Sequence, residues 1–171
     1  RTTEIYPLSL PGALPILVRA PIHRFGSGEQ KERFLPGLRD GELIGCMGLT
    51  EPDHGSDAGA MQARASRVDG GYKLSGTKQW ITNSPIAHVL LVWAKDEEDV
   101  VRGFLLERGV KFLDTPKIDG KMAVLASSTG YIVLDDVTLP HATLLPGANV
   151  LGAPPHPLPT ARLAISRAPL P

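Results

Sequence analysis

The chain has 171 residues, and its 18 lysines and arginines balance 18 aspartates and glutamates, which gives a formal net charge of zero. This balance excludes the strongly basic surface with which proteins bind nucleic acid or an anionic membrane. A single cysteine, Cys46, excludes an intramolecular disulfide framework and a metal site made of cysteines alone. Ten of the 16 prolines lie within residues 1–21 and 151–171, so the two ends differ in character from the middle.

Residues 1–21 predict irregular structure, or an end that is not native to the domain. Their apolar stretch, Leu8–Val18, is interrupted by Pro11, Gly12 and Pro15 and has the period of neither a helix nor a strand. No apolar run in the chain reaches the ~18 residues that a membrane-spanning helix requires, so we expect no membrane insertion.

A short helix follows, and a capping box marks its start. Ser27 can accept a hydrogen bond from the backbone amide of Gln30, whose side chain can reach back to the amide of Ser27. We predict a helix from Glu29 to about Leu38, with Phe34 and Leu38 on one face.

From residue 43 onward the pattern changes to short strand-like runs that are separated by turn residues. The pair Asp69-Gly70 between two such runs is typical of a β-hairpin. Seven or so short strands at this spacing predict a mainly β domain, either a small barrel or a sandwich. The predicted strands are Leu43–Leu49, Gln62–Val68, Tyr72–Ser75 leading to Gln79–Thr82, Val89–Ala94, Val101–Glu107, Phe112–Thr115 and Tyr131–Val137.

The densest polar cluster, Gly48–Asp57, follows the first predicted strand. Its hydroxyls, Thr50 and Ser56, and its glycines allow such a loop to present hydroxyls and backbone amides to a phosphate or to the polar edge of a ring. The alternative is a solvated turn in which the carboxylates make local hydrogen bonds. The cluster matches neither a G-x-G-x-x-G sequence nor a P-loop.

A second polar cluster, Gly76–Ser84, coincides with another predicted strand. Strand alternation places Trp80 and Thr82 on one face and Ile81 on the other. A tryptophan beside a threonine can support a flat heteroaromatic ring and donate a hydrogen bond to it. The alternative is that Trp80 is a core residue.

Three further features favour structural roles. Cys46 lies in an apolar strand and is expected to be a small core residue. The acidic run Asp96–Asp99 is expected to be a solvated hairpin loop. The histidines lack the spacing of metal ligands, so no metal site is expected; those outside the two polar clusters are His23, His88, His141 and His156.

Three motifs in order carry a resemblance to a known family. They are Cys46–Pro52 with Gly55–Asp57, then Trp80–Asn83, and finally Asp135–Pro140. On these motifs the chain, from about Pro21 to Gly152, resembles the middle domain of the acyl-CoA dehydrogenase family. The segments that are most similar to the glutaryl-CoA dehydrogenases within that family are Trp80–Pro85, Arg102–Glu107 and Ala126–Gly130.

The resemblance implies a small antiparallel β-barrel preceded by a short helix, with FAD as the cofactor. The Thr50 hydroxyl and the backbone around it would meet the polar edge of the flavin, and Thr82 would bond near N5. Ser56 would contact the CoA arm of the substrate or the FAD phosphates. Donors at such positions stabilise the negative charge that arises as the flavin accepts hydride. The implied cofactor-binding residues are Met47, Gly48, Leu49, Thr50, Ser56, Trp80, Ile81 and Thr82.

The resemblance also implies a reaction. In the family, a carboxylate removes the acyl α-proton while hydride leaves the β-carbon for the flavin, and a glutaryl-type enzyme then decarboxylates the product to crotonyl-CoA. The family's catalytic glutamate belongs to a C-terminal helical domain, so no catalytic residue is assigned in this chain, and Glu51 is expected to be structural. The alternatives are a dehydrogenase for another short or branched acyl-CoA, or a non-catalytic β-barrel that binds flavin or acyl-CoA.

Finally, the resemblance divides the chain. Residues 1–21 are the irregular or non-native end, 22–41 the end of an N-terminal helical domain, 42–150 the middle β-barrel domain, and 151–171 the truncated, proline-rich start of a C-terminal region. We therefore expect a partial chain that is inactive alone. The family's partners are an acyl-CoA substrate, an electron-transferring flavoprotein and further copies of the same chain. The lack of a targeting segment favours a bacterial cytoplasm, with the mitochondrial matrix as the alternative.

Overall fold

The computed structural model describes residues 14–149, which form two helices, eight strands and two short 3-10 turns. Within this range, no helix combines the length and the apolar composition needed to span a bilayer. The helices are α1 (Leu14–Phe25) and α2 (Gly28–Asp40), and the 3-10 turns are Ala58–Ala60 and His141–Thr143. The strands are β1 (Gly45–Gly48), β2 (Arg64–Val68), β3 (Gly71–Thr82), β4 (Val89–Lys95), β5 (Val101–Glu107), β6 (Leu113–Asp114), β7 (Thr129–Pro140) and β8 (Leu144–Asn149).

The capping box predicted for α2 is present. The Ser27 hydroxyl accepts from the Gln30 amide at 3.2 Å, and the Gln30 side chain accepts from the Ser27 amide at 3.0 Å. The helix ends at Gly41, whose φ of 80° is the left-handed conformation that glycine adopts without strain. Phe34 and Leu38 are both buried, as their spacing predicted.

The expectation of irregular structure over residues 1–21 is wrong for residues 14–21, which belong to α1. Residues 1–13 lie outside the described part, and so does the predicted proline-rich segment 151–171. A proline inside a helix removes a hydrogen bond and is unfavourable by about 3 kcal/mol, and α1 contains Pro21. The helix nevertheless forms because Val18 and Ile22 are completely buried, and packing of an apolar face outweighs local propensity.

The strands form one sheet in the order β6-β7-β3-β2-β4-β5-β8, and β1 pairs with β4 off this path. The prediction of a mainly β domain is confirmed, but two details of the antiparallel barrel need correction. The pairs β1–β4 and β2–β4 are parallel. In the described residues the sheet does not close, since the strands at its two ends, β6 and β8, have no pairing with each other.

The individual strands differ from prediction where bulges or prolines occur. The runs Tyr72–Ser75 and Gln79–Thr82 belong to one long strand, β3, which continues through two irregularities in its pairing with β7. The strand β8 was not predicted, because Pro146 and Gly147 within it are typical of turns. The hairpin at Asp69-Gly70 is confirmed, since it joins the antiparallel strands β2 and β3.

Two apolar clusters cover the two faces of the sheet. The strand β4 shows this most clearly, because its residues alternate between the clusters while Val89 through Ala94 are all buried. Burial also raises the pKa of the Cys46 thiol to about 12, which agrees with its predicted core role. The inner cluster includes Cys46, Leu74, Leu90, Val92, Phe104 and Ile132. The helix-side cluster includes Val18, Ile22, Leu38, Val89, Leu91 and Trp93.

The acidic run after β4 forms the predicted hairpin loop, and one of its members has a structural role. Glu97, Glu98 and Asp99 are exposed. In contrast, Asp96 accepts hydrogen bonds from the amides of Glu98 and Val100 and from the Arg102 side chain. Burial acts to raise the pKa of Asp96, but these hydrogen bonds outweigh it and hold that pKa below its usual value.

Candidate functional site

The two polar clusters that the sequence singled out are adjacent in the structure. The first leaves the end of β1 and passes alongside β3, where the backbone amide of Gln79 donates to the Thr50 carbonyl at 2.9 Å. Gly48 allows this close approach, because a β-carbon there would lie 2.8 Å from Ile132 Cδ1 and 3.3 Å from Lys78 Cγ. Residues 47–50 therefore run beside the strand that carries Trp80.

The side chains of residues 47–50 divide between core and surface. Met47 and Leu49 are partly buried and pack against the helix-side cluster. Gly48 has no side chain, and Thr50 is half-buried at the junction with β3. Since Met47 and Leu49 are engaged by the core, the groups that remain for a ligand are backbone atoms and the Thr50 hydroxyl.

A buried ion pair lies directly behind this junction. Lys78 is completely buried and Glu51 is 5% exposed, and their charged atoms are 2.8 Å apart. The Glu51 carboxylate also accepts hydrogen bonds from the backbone amides of Gln62 at 2.7 Å and Ala63 at 2.9 Å. The Lys78 ammonium donates to the Leu49 carbonyl at 3.2 Å and approaches the Met61 sulfur at 3.8 Å.

The pKa shifts of the pair follow from these contacts. Burial acts to raise the pKa of Glu51, but the Gln62 amide, the Lys78 ammonium and the Ala63 amide outweigh it and lower that pKa overall. Burial lowers the pKa of Lys78, and Glu51 opposes the shift. Because both Glu51 oxygens are already occupied by protein donors, the structural role expected for this residue agrees with its geometry.

The end of β3 presents a strained and exposed tryptophan. Trp80 has a φ of 60° and its side chain is 56% exposed, which excludes the alternative that it is a core residue. The register of β3 against β7 shifts between Lys78 and Ile81, so the backbone bulges at Trp80. Ile81 is buried and Thr82 half-buried, in agreement with the alternation predicted for this strand. A positive φ in a bulky residue is uncommon and concentrates at functional positions.

The turn after β3 is held by Arg108. Its guanidinium donates to the Ala87 carbonyl at 2.6 Å and to the Ser84 carbonyl at 2.7 Å. The amide of Asn83 donates to the Ser128 carbonyl at 2.6 Å, which ties the same turn to the segment before β7. These contacts fix the backbone directly beyond Thr82.

Ser56 is placed differently from the other candidate residues. It is exposed, in a loop that folds back on itself through a hydrogen bond from the Glu51 amide to the His54 carbonyl at 3.0 Å. The His54 ring lies 3.3 Å from the Gln62 side chain. The structure thus brings residues 47–50 together with β3 and leaves Ser56 in the exposed part of the loop.

Two residues that organise this site, Lys78 and Arg108, were not predicted from the sequence. For Lys78 a signal was available: it lies four residues after Leu74 in one strand, and strand alternation places both on the same buried face. A lysine at a core-facing position requires a partner, and in the structure that partner is Glu51. For Arg108 no local pattern exists, because its acceptors lie in another turn.

Comparison with known proteins gives the same domain. The family model described as acyl-CoA dehydrogenase, middle domain, matches residues 46–137. A probable acyl-CoA dehydrogenase of Bacillus subtilis is 41% identical over 136 residues, which cover 78% of this chain and 22% of that protein. The mitochondrial isovaleryl-CoA dehydrogenase of Oryza sativa is 36% identical over 126 residues, which cover 71% of this chain and 31% of that protein.

A solved structure extends the comparison to the fold. A glutaryl-CoA dehydrogenase from Mycobacterium smegmatis in complex with FADH2 matches with a TM-score of 0.83 and 44% identity, over 88% of this chain and 39% of that chain. The chain therefore spans between a fifth and two fifths of the proteins it matches. The family model, the fold and the two adjacent polar clusters all agree. This chain therefore belongs to the acyl-CoA dehydrogenase family and contains its middle domain.

Proposed function

We propose that this chain binds FAD through the junction of residues 47–50 with Trp80–Thr82. The observation that carries the proposal is the contact between these two segments, which lie about thirty residues apart in sequence. One segment supplies backbone groups and the Thr50 hydroxyl, and the other supplies an exposed indole and the Thr82 hydroxyl. Hydrogen-bond donors beside a flat apolar surface suit an isoalloxazine ring, whose edge is polar and whose faces are not.

The whole protein is proposed to oxidise an acyl-CoA. Bound FAD would accept the hydride that leaves the β-carbon of the substrate. The role of this chain is to hold and orient that ring: Thr82 and Thr50 donate to its polar atoms, and Trp80 excludes water from one part of its surface. Glu51, whose pKa is lowered by backbone amides and by Lys78, is proposed to be structural and not to take the α-proton, and no catalytic residue is proposed in this chain. Ser56, exposed in its loop, is proposed to contact the CoA arm or the FAD phosphates.

The flavin contacts are tested by titrating the chain with FAD and following tryptophan fluorescence. We expect weak, saturable quenching, because Trp80 is exposed whereas the other tryptophan, Trp93, is 1% exposed. Replacing Thr82 by Val keeps the shape of the side chain but removes the hydroxyl. We expect affinity about tenfold weaker, which corresponds to one lost hydrogen bond of about 1.4 kcal/mol.

The matched control is Thr138→Val, which makes the same substitution at an exposed position of β7. Its FAD affinity should equal that of the parent chain. Equal affinity of the Thr82→Val variant, or quenching that never saturates, would contradict the proposed site.

For the substrate we propose glutaryl-CoA, which the protein decarboxylates to crotonyl-CoA after oxidation, with electrons passing to an electron-transferring flavoprotein. The support is the set of segments Trp80–Pro85, Arg102–Glu107 and Ala126–Gly130, together with the likeness to the glutaryl-CoA dehydrogenase of Mycobacterium smegmatis. The second candidate is a branched acyl-CoA, which the likeness to isovaleryl-CoA dehydrogenase favours. We further propose that the protein works as a homo-oligomer in the bacterial cytoplasm, or else in the mitochondrial matrix.

To distinguish the two candidate substrates, the enzyme that contains this chain is assayed with glutaryl-CoA and with isovaleryl-CoA. We expect carbon dioxide and crotonyl-CoA from glutaryl-CoA, and a lower kcat/KM for isovaleryl-CoA. Preference for isovaleryl-CoA without release of carbon dioxide would replace the first candidate by the second.

A further inference from the structure

The buried pair Glu51–Lys78 takes no part in the chemistry proposed above, yet its contacts join three segments of the site. The Lys78 ammonium donates to the carbonyl of Leu49, the first residue after β1. Through the Glu51 carboxylate the pair reaches the amides of Gln62 and Ala63, just before β2. Lys78 itself lies in β3, two residues before Trp80.

The pair fixes the position of Leu49 and Thr50, which follow β1, against β3. The Lys78 side chain holds the Leu49 carbonyl at 3.2 Å, and the next residue of the strand, Gln79, holds the Thr50 carbonyl through its backbone amide at 2.9 Å. Two consecutive carbonyls are thus directed toward β3 by two consecutive residues of that strand. The Thr50 hydroxyl is thereby set at a defined place relative to Trp80.

Lys78 also lies directly before the second of the two irregularities in β3. Register with β7 shifts first between Leu74 and Gly76, is regular from Gly76 to Lys78, and shifts again between Lys78 and Ile81. Trp80, with its φ of 60°, lies within the shifted part. Because the contacts of Lys78 fix the register of β3 directly before the bulge, they also determine the position of Trp80 within it.

Stability alone does not require charges at these two positions. A buried ion pair can often be replaced by apolar side chains of similar volume without loss of stability. Apolar side chains, however, could not donate to the Leu49 carbonyl or accept from the amides of Gln62 and Ala63. What the charged pair adds is the fixed orientation of these three backbone groups.

We propose that Glu51 and Lys78 are positioning residues that hold the segment Met47–Thr50, the end of β1 and the start of the loop after it, at the separation from Trp80–Thr82 that a flavin ring requires. This inference rests on the proposed function, since it assigns a purpose to the geometry of the same site. It predicts that removing both charges loosens the loop and weakens flavin binding even where the fold survives.

The test uses the double variant Glu51→Gln/Lys78→Met in the full chain, because each single change would leave one buried charge without its partner. Three quantities are measured: the urea midpoint of unfolding, amide hydrogen exchange of residues 47–51 without flavin, and the dissociation constant for FAD. We expect a midpoint much closer to the parent than that of Lys78→Met alone, together with about tenfold faster exchange and at least tenfold weaker FAD binding.

The control is the double variant Lys73→Met/Asp136→Asn, which removes an exposed ion pair between β3 and β7. It should leave exchange of residues 47–51 and FAD affinity unchanged. If the Glu51→Gln/Lys78→Met variant binds FAD and protects residues 47–51 as the parent does, the pair is merely structural and the inference fails. If the parent chain does not bind FAD at all, the proposed function fails, and the flavin role of the pair fails with it.

Discussion

Replacing Lys78 by Met alone is expected to lower the free energy of unfolding by about 3–5 kcal/mol. The methionine fills much of the same volume, but the Glu51 carboxylate, which is 5% exposed, loses its counter-charge while it stays out of water. The Leu49 carbonyl also loses its donor. Unfolding in urea, followed by circular dichroism, measures the change.

The substitution Lys73→Met is the matched control, because it removes a lysine from the same strand. Lys73 pairs with Asp136, but the two side chains are 42% and 60% exposed, so water and salt screen their attraction. We therefore expect a small effect at this position. Equal losses for the two variants would contradict the view that burial makes the Lys78 pair important.

The loss in the Lys78→Met variant should depend on pH. In the parent chain the pKa of Glu51 lies below its ordinary value of 4.5, so its stabilising contribution is complete above that value and is lost as the pH falls through the lowered pKa. In the variant the Glu51 carboxylate is buried without a counter-charge, so we expect its pKa to be higher than in the parent. Protonation then removes the free-energy cost of the buried charge. The difference in stability between the two proteins should therefore shrink as the pH falls from 7 toward 4.

Replacing Gly130 by Ala is expected to destabilise the fold by about 1–3 kcal/mol and to weaken FAD binding at the same time. A β-carbon at this position would overlap the carbonyl oxygen of Pro116 and lie 2.8 Å from the Ser84 hydroxyl. The Pro116 carbonyl is held in place by the Tyr131 amide at 2.9 Å, so it cannot easily move away. Gly130 pairs with Ile81, which follows Trp80 in β3. A displacement of β7 would therefore also move this end of β3.

Gly55→Ala provides the comparison, because nothing lies within 4 Å of a β-carbon at that position. It should change neither the urea midpoint nor FAD affinity measurably. A Gly130→Ala variant that loses stability but binds FAD as tightly as the parent would contradict this prediction, because it would show that a change in β7 does not alter the flavin-binding end of β3.

Features that depend on neighbours in sequence were predicted well. The capping box of α2 and the hairpin at Asp69-Gly70 need only a few adjacent residues, and both are present. The burial of Cys46 followed from the apolar character of its strand. Both clusters that form the candidate site were found in the same way, from the local density of polar side chains and the placement of Trp80.

Features that depend on distant contacts were predicted poorly. The helix α1 forms despite Pro21 because Val18 and Ile22 are buried by partners elsewhere in the chain. The strand β8 forms despite Pro146 because it pairs with β5. In each case a local signal for a break is outweighed by packing or pairing that only the complete fold supplies.

The spacing of strand-like runs and turn residues was enough to predict a mainly β domain, and three motifs in order were enough to identify the family. Local composition also identified the two segments that carry the hydroxyls, the glycines and the tryptophan of the candidate site. How those segments meet depends on contacts between distant residues: Lys78 donates to the Leu49 carbonyl, Glu51 accepts from two amides before β2, and a bulge exposes Trp80. The reason is physical, since a buried charge is stable only beside its partner, and Lys78 has its partner 27 residues away in the chain.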